Sequence, residues 1–347
     1  MGSINKPGES KFWIAKDSDD HVCHGITDAL SVTDSYYDLV TYTNYWEWRA
    51  ALDGYSQDVT TLASDWDPSI PTYPTDALVM QWTIPSGAAG VSKNWGYGSS
   101  AYSDRTFTID WGDGNKSEYS NTTVYNLTHT YASAGTYTVQ IYSEGGSGIK
   151  LMRFGSPSNV SYRGTSSHVT GIIQWGNHFS RDTFQKMFFD CDNIGTISAT
   201  DKPNLSSTRY LTSMFENSGN NVRVDSSMEN WDTSNVQDMR YMFKYTKIFN
   251  NDAGSGFNIG NWNITGLTSS KGATNMFYSN NANSVHWSIT TARYDELLIG
   301  WGAQSGSVNS GVNLGAGETK YTGGGSAASG RAALVAAGWT ITDGGTV

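Results

Sequence analysis

One apolar pattern returns through the second half of the chain. A Met-Phe pair stands at Met187-Phe188, Met214-Phe215, Met242-Phe243 and Met276-Phe277, at steps of 27, 28 and 34 residues, and tryptophans precede three of the pairs at Trp175, Trp231 and Trp262. A period of this length means stacked supersecondary units, each able to bury its apolar side only against a neighbour. In residues 230–243, Val236, Met239, Met242 and Phe243 fall at offsets of three, six and seven, which predicts one face of a helical turn. The segments around Trp231 and Trp262 are then expected to be strands. The Met-Phe pairs and the tryptophans, with Trp287, are the expected interior of the array.

Upstream the period shortens to two. Leu78–Ile84 and residues 106–111 read as strands, Gly112-Asp113-Gly114 as a tight hairpin turn, and residues 136–141 as a strand after the turn at Ala134-Gly135. Nearer the start, residues 12–15, 21–26 and 38–43 read as strands. A helix is expected after them, with Asn44 and Glu47 as a capping box, Gly54 as its stop, and Tyr45, Trp48, Ala51 and Leu52 as its apolar face. Pro68, Pro71 and Pro74 make residues 65–74 an extended linker.

Composition supports the β reading. Charged residues are 16% and aromatics 13% of 347 residues, with 38 glycines, a mix that favours turn-rich β structure over helical bundles or disorder. The length exceeds one ordinary core. Three regions are expected: residues 1–72, 73–145 and 146–347. A net charge of -10 without a Lys/Arg cluster argues against nucleic acid and anionic membranes as partners. No run of 18 apolar residues occurs, so membrane insertion is not expected, and the first twenty residues lack the apolar centre of a signal peptide.

The densest set of metal-ligating types is Asp17, Asp19, Asp20, His21, Cys23 and His24. On a strand His21 and Cys23 face away from His24, so no metal is expected there. Asp110 and Asp113 are expected to accept from nearby backbone N–H groups rather than to hold calcium. Cys23 and Cys191 spell no disulfide or zinc framework. No Gly-x-Ser-x-Gly, His-Glu-x-x-His or phosphate loop occurs, so neither catalytic residues nor a cofactor are expected. A glycan-active enzyme is the remaining catalytic alternative, because paired carboxylates can come from distant strands.

Aromatic residues are the better candidates for binding. Phe12, Trp13, Tyr36, Tyr37, Trp46 and Trp48 crowd a region too small to bury them all, which makes them a candidate docking surface. Trp95, Tyr97, Tyr102, Tyr241 and Tyr278 fall outside the repeat register and are expected to offer flat faces to sugars or a partner protein. Tyr241 and Tyr278, within the array, are the candidate host contacts.

Three resemblances follow from these motifs. Residues 10–60, with their Trp-Ile-Ala-Lys start and Trp-Arg-x-x-Leu segment, resemble small β-strand-plus-helix modules of virion-associated proteins in tailed bacteriophages. Asp110-Trp111-Gly112-Asp113-Gly114, followed by His129-Thr130-Tyr131 and Gly135-Thr136-Tyr137, resembles the PKD family of immunoglobulin-like β-sandwiches, spacer or adhesive modules without catalytic residues. Ile172-Ile173-Gln174-Trp175-Gly176 and the Met-Phe repeats resemble the BspA-like, DUF285-type leucine-rich repeats of bacterial surface proteins, in which a PKD-like domain often precedes the array. The segments from Tyr294 to Trp301 and from Gly338 to Gly345 extend that likeness.

The expected architecture is therefore mainly β with short helices: a small N-terminal α+β unit, a PKD-like sandwich, and an irregular leucine-rich-repeat-type solenoid with an α/β C-terminal cap. The resemblances imply a non-enzymatic bacteriophage virion surface protein, a fibre, spike or capsid decoration. It would dock to other virion proteins through the N-terminal unit, meet a host-surface glycan or protein through the array, and occur in several copies per particle. The absence of an export signal separates this from the alternative, a bacterial cell-surface adhesin of the BspA type.

Overall fold

The structure is a computed structural model that describes residues 11–16, 22–27, 37–42, 76–100, 106–120, 125–143, 149–154, 168–177, 183–219, 223–224, 226–246, 258–268, 271–278 and 289–347. The chain divides into two compact units, Met1–Thr72 and Tyr73–Val347.

In the first unit β1 (Lys11–Lys16), β2 (Val22–Thr27) and β3 (Tyr37–Tyr42) form an antiparallel sheet with β1 in the middle. Strands thus form at the three positions where the sequence reads as strand. Phe12 and Trp13 fall in β1 and Tyr37 opens β3, while Cys23 and His24 fall in β2, with Cys23 opposite Ala15. Tyr36, Trp46, Trp48, Asp17, Asp19, Asp20, His21, the helix expected after Asn44 and the linker of residues 65–74 lie outside the described residues.

The second unit opens on two sheets packed face to face. One holds β5 (Lys93–Ser100) between β8 (Tyr125–His129) and β10 (Ile149–Arg153). The other has seven strands, in the order β13 (Arg223–Val224), β12 (Thr196–Ile197), β11 (Val169–Gln174), β4 (Leu78–Ile84), β9 (Gly135–Tyr142), β6 (Thr106–Asp110), β7 (Lys116–Ser120). Alternation decides which way β4 faces: Met80, Trp82 and Ile84 are buried, while Gln81 and Thr83 are exposed. Between the sheets Trp82 meets Trp95 at 6.1 Å and Trp111 and Phe154 at 5.9 Å. All four rings are buried, so this aromatic box packs the two sheets together.

The seven-stranded sheet changes character at β11. That strand is antiparallel to β4 on one side and parallel to β12 on the other, and β12 is parallel to β13. The hairpin-type sheet therefore becomes a parallel, coil-by-coil array, and the hydrogen-bonded sheet runs across residue 145 unbroken.

Four coils follow, each centred on a Met-Phe pair. N–H groups of Phe184, Lys186, Phe188 and Asp190 donate to carbonyls of Tyr210, Thr212, Met214 and Glu216 in the next coil. Leu211, Ser213, Phe215 and Asn217 donate likewise to Asp238, Arg240, Met242 and Lys244, and Met239, Tyr241, Phe243 and Tyr245 to Gly272, Thr274, Met276 and Tyr278, all at 2.7 to 3.2 Å. Intervening N–H groups close tight turns within their own coil, as Met242 N–H does on Met239 C=O and Thr246 N–H on Phe243 C=O.

This arrangement corrects two expectations. Residues 239–246 are consecutive turns that follow a parallel bridge at Asp238, not a helical turn, although Val236, Met239, Met242 and Phe243 do share the buried side. The segments at Trp231 and Trp262 are not strands: each tryptophan directly follows a short 3-10 turn, Ser226–Asn230 and Ile259–Asn261. Inside the array the rings form files. Phe188, Phe215, Phe243 and Phe277 stack at 5.4, 5.9 and 5.8 Å, and Trp231 stacks on Trp262 at 5.8 Å. Trp175, Met187, Met214, Met242 and Met276 are buried beside them. Trp287 lies outside the described residues.

Two helices and a short parallel pair finish the unit. Helix α1 (Thr291–Gly302) is capped by Thr290, whose Oγ1 accepts from Arg293 N–H, and buries Tyr294, Leu297, Leu298 and Trp301, one face at offsets of three, four and seven. Helix α2 (Ser326–Ala336) crosses it closely: a Cβ on Gly302 would stand 2.3 Å from Gly330 Cα, and one on Gly330 2.2 Å from Leu298 O. β14 (Asn313–Gly315) pairs in parallel with β15 (Thr340–Thr342) and bridges to Ala273, so the coil ladder continues into this cap. Arg331 clamps Asp343 at 2.8 Å and donates to Ile341 C=O, and Tyr294 OH donates to Asp343.

Candidate functional site

The coils hold their shape by an unusual backbone device. Among the described residues, seven other than glycine, Lys186, Asp190, Ser213, Asn217, Tyr241, Tyr245 and Asn275, have φ between 51 and 64°. They stand immediately before the Met-Phe pair and three residues after its methionine. Each occupies the third place of a four-residue turn, where a left-handed residue is required and glycine or asparagine is preferred. A residue with a side chain pays about 1–2 kcal/mol there, and a bulky one is a genuine outlier. In the third coil both places are taken by tyrosine.

Those tyrosines stand on the outer side of the coil, half-buried, with Lys244 between them. Lys244 Nζ lies 4.9 Å from the ring centres of both Tyr241 and Tyr245, and it reaches back one coil to Glu216 Oε1 at 3.1 Å. From the next coil Tyr278, 36% exposed, meets Tyr245 edge-on at 5.9 Å and 67°. The parallel ladder brings these four residues together from two coils, since it repeats every side chain at the strand spacing of about 4.8 Å. On the flanks, Asn217 Nδ2 donates to Asp190, and Asp238 pairs with Arg240 at 2.8 Å. The hydrogen bond to Asp238 raises the Arg240 pKa against the opposing effect of burial.

A family model described as "Mycoplasma protein of unknown function, DUF285" matches residues 182–296. The match begins just before the first Met-Phe coil and ends within α1. No curated protein and no solved structure matches the chain.

The other residues singled out by sequence fall elsewhere. Trp95 is not a surface aromatic: it is buried in the aromatic box, where its Nε1 donates to His129 C=O at 2.9 Å. Tyr97 is half-buried in β5, and Tyr102 lies outside the described residues. Asp110 accepts from Gly112 N–H at 3.0 Å and pairs with Lys116 at 3.1 Å. Asp113 accepts from Asn115 N–H and from His129 Nε2 at 2.8 Å. Burial opposes ionisation of Asp113, but these bonds hold its pKa below the usual value. Both carboxylates thus act as turn braces. Among the described residues no group of three His, Cys, Asp or Glu side chains could hold a metal ion, and no helix is long and apolar enough to cross a membrane.

Tyr241 and Tyr278 do lie in one cluster. The pattern of the sequence does not mark their companions Glu216 and Lys244, and Tyr245 is marked only by the tyrosines four apart in Tyr241-Met242-Phe243-Lys244-Tyr245. That mark becomes readable only once the coils are known to be turns, because a helix would use the same spacing to bury one face.

Proposed function

We propose that the chain is a non-enzymatic display protein whose coil array offers its outer face to a glycan or protein on a host cell surface. The observation that supports this reading is the division of labour within each coil: Met-Phe pairs repeat inside, while the outer turn positions vary freely in chemistry. Such an array keeps its shape while its exposed residues change, and stacked coils spread contacts along an extended surface. The carrier in this proposal is the surface of a bacteriophage virion, head or tail, with residues 1–72 as the docking element. That part rests on the resemblance of residues 10–60 to virion modules and of residues 73–145 to PKD domains, and so on likeness in motif. The match of residues 182–296 to a family described from Mycoplasma favours a second reading, display on a bacterial cell surface.

Imaging of purified particles with an antibody against residues 146–347 tests the carrier. Labelled particles are expected; unlabelled particles beside labelled bacteria would transfer the protein to the cell surface. Saturable binding of the labelled full chain to host cells tests adhesion, and its absence would overturn the adhesive reading.

A further inference from the structure

The third coil spends backbone strain on its outer face. Where the other coils place lysine, aspartate, serine or asparagine in the left-handed turn positions, this one places Tyr241 and Tyr245, at φ 58 and 56°. Strain kept at a surface position is a mark of function when no interior contact accounts for it, and the ring contacts of both tyrosines lie on the outer face, with Lys244 and Tyr278.

We infer that Tyr241, Lys244, Tyr245 and Tyr278 form a binding platform for an uncharged pyranose of a surface polysaccharide; this rests on the adhesive reading above and names its ligand class. The charge on the platform is already balanced, since Lys244 is paired with Glu216 at 3.1 Å, so an ionic ligand would have to break that pair. An extended peptide adding a strand is also poorly served. The N–H groups of Tyr241, Phe243 and Tyr245 are committed to the carbonyls of Thr274, Met276 and Tyr278, which leaves recognition to side chains. What the side chains provide is aromatic surface meeting at 67°, rimmed by hydroxyl, ammonium and carboxylate groups. A neutral sugar ring is complementary to this: its C–H face stacks on an aromatic ring, and its equatorial hydroxyls reach the polar rim.

The test is affinity electrophoresis of the full chain through gels carrying a neutral β-glucan, a galactomannan, dextran or the acidic polygalacturonate. Retardation by at least one neutral polymer is expected. Its apparent Kd should rise about tenfold or more in Tyr278→Ala and in the double variant Tyr241→Asn/Tyr245→Asn. The double variant carries a control within it, because asparagine suits the left-handed turn better than tyrosine. Its melting temperature should hold or rise while binding is lost. A fall in melting temperature would show that the rings serve the fold and would overturn the inference, as would retardation by none of the neutral polymers or by polygalacturonate alone. Host cells that bind the double variant as well as the unaltered chain would overturn this platform and leave the adhesive reading standing. Cells that bind neither would count against the adhesive reading itself.

Discussion

His168 is 2% exposed among the rings of the aromatic box, 4.4 Å from Trp82 and 5.1 Å from Trp95 between ring centres. Among the described residues neither ring nitrogen has a hydrogen-bond partner in good geometry, although the Trp95 backbone lies close. Burial moves its pKa down from 6.5 to about 3. The unfolded chain therefore takes up a proton near pH 6.5 that the folded chain refuses until about pH 3. Stability is full above pH 6.5 and declines as the pH falls through that window. Between pH 7 and pH 5 the loss from this residue should be about 2 kcal/mol, measured by chemical denaturation at the two pH values. In His168→Leu the slope over that interval should flatten, since an apolar side chain of similar size leaves nothing to protonate. Nothing in the sequence marks this histidine, because its environment comes from strands 70 to 90 residues away in the chain. Three of the left-handed residues, Lys186, Tyr241 and Tyr245, were equally hidden, because lysine and tyrosine do not signal turns as glycine or the asparagines at 217 and 275 do.

Among the elements, the file of phenylalanines is the most legible feature. The recurring Met-Phe pairs gave away an array with a shared interior, and Phe188, Phe215, Phe243 and Phe277 do stack within it. The local backbone was not legible from the same letters, because offsets of three and seven put residues on one side both in a helix and in consecutive tight turns. The tryptophans depart from the strand expectation for a related reason: a bulky aromatic favours strands, yet here Trp231 and Trp262 fill the interior from the end of a 3-10 turn. Phe243 touches rings on three sides, in Phe215, Phe277 and Trp262, so Phe243→Ala should cost about 3–5 kcal/mol in denaturant unfolding. The helical cap has its own sensitive point. A methyl group on Gly330 would meet the Leu298 carbonyl at 2.2 Å, and because the obstacle is backbone, the helices must separate to admit it. Gly330→Ala should lower stability by about 2–3 kcal/mol, visible as a lower denaturant midpoint, although alanine is the better helix former.

For the molecule as a whole, the junction between sandwich and coils matters most. Alternating strands before residue 145 and repeats after it suggest a division there, but a pattern of buried positions carries no record of which strand lies beside which. In the structure β11, which opens the array, is bonded along its length to β4, and Phe154 N–H donates to Met187 C=O. A fragment beginning at residue 146 would lose β4 and uncover Val169 and Ile172 along an open sheet edge, an invitation to aggregation. Such a fragment should fail to give a cooperative transition, whereas residues 73–347 should unfold in a single step, as near-ultraviolet circular dichroism of the tryptophans would report.

The direction of the hydrogen bonds between coils bears on how the protein meets mechanical load. They run from each coil to the next, so tension applied at the last coil works on one coil's bonds at a time rather than on all of them in shear. Arg331, fixed to Asp343 and to the Ile341 carbonyl, holds the first tooth of this zipper. Once it yields, each released coil of about 28 residues pays out roughly 90 Å of chain. An array built this way, held at its two ends, lengthens in steps under a pull, and the tension along it stays low while it does.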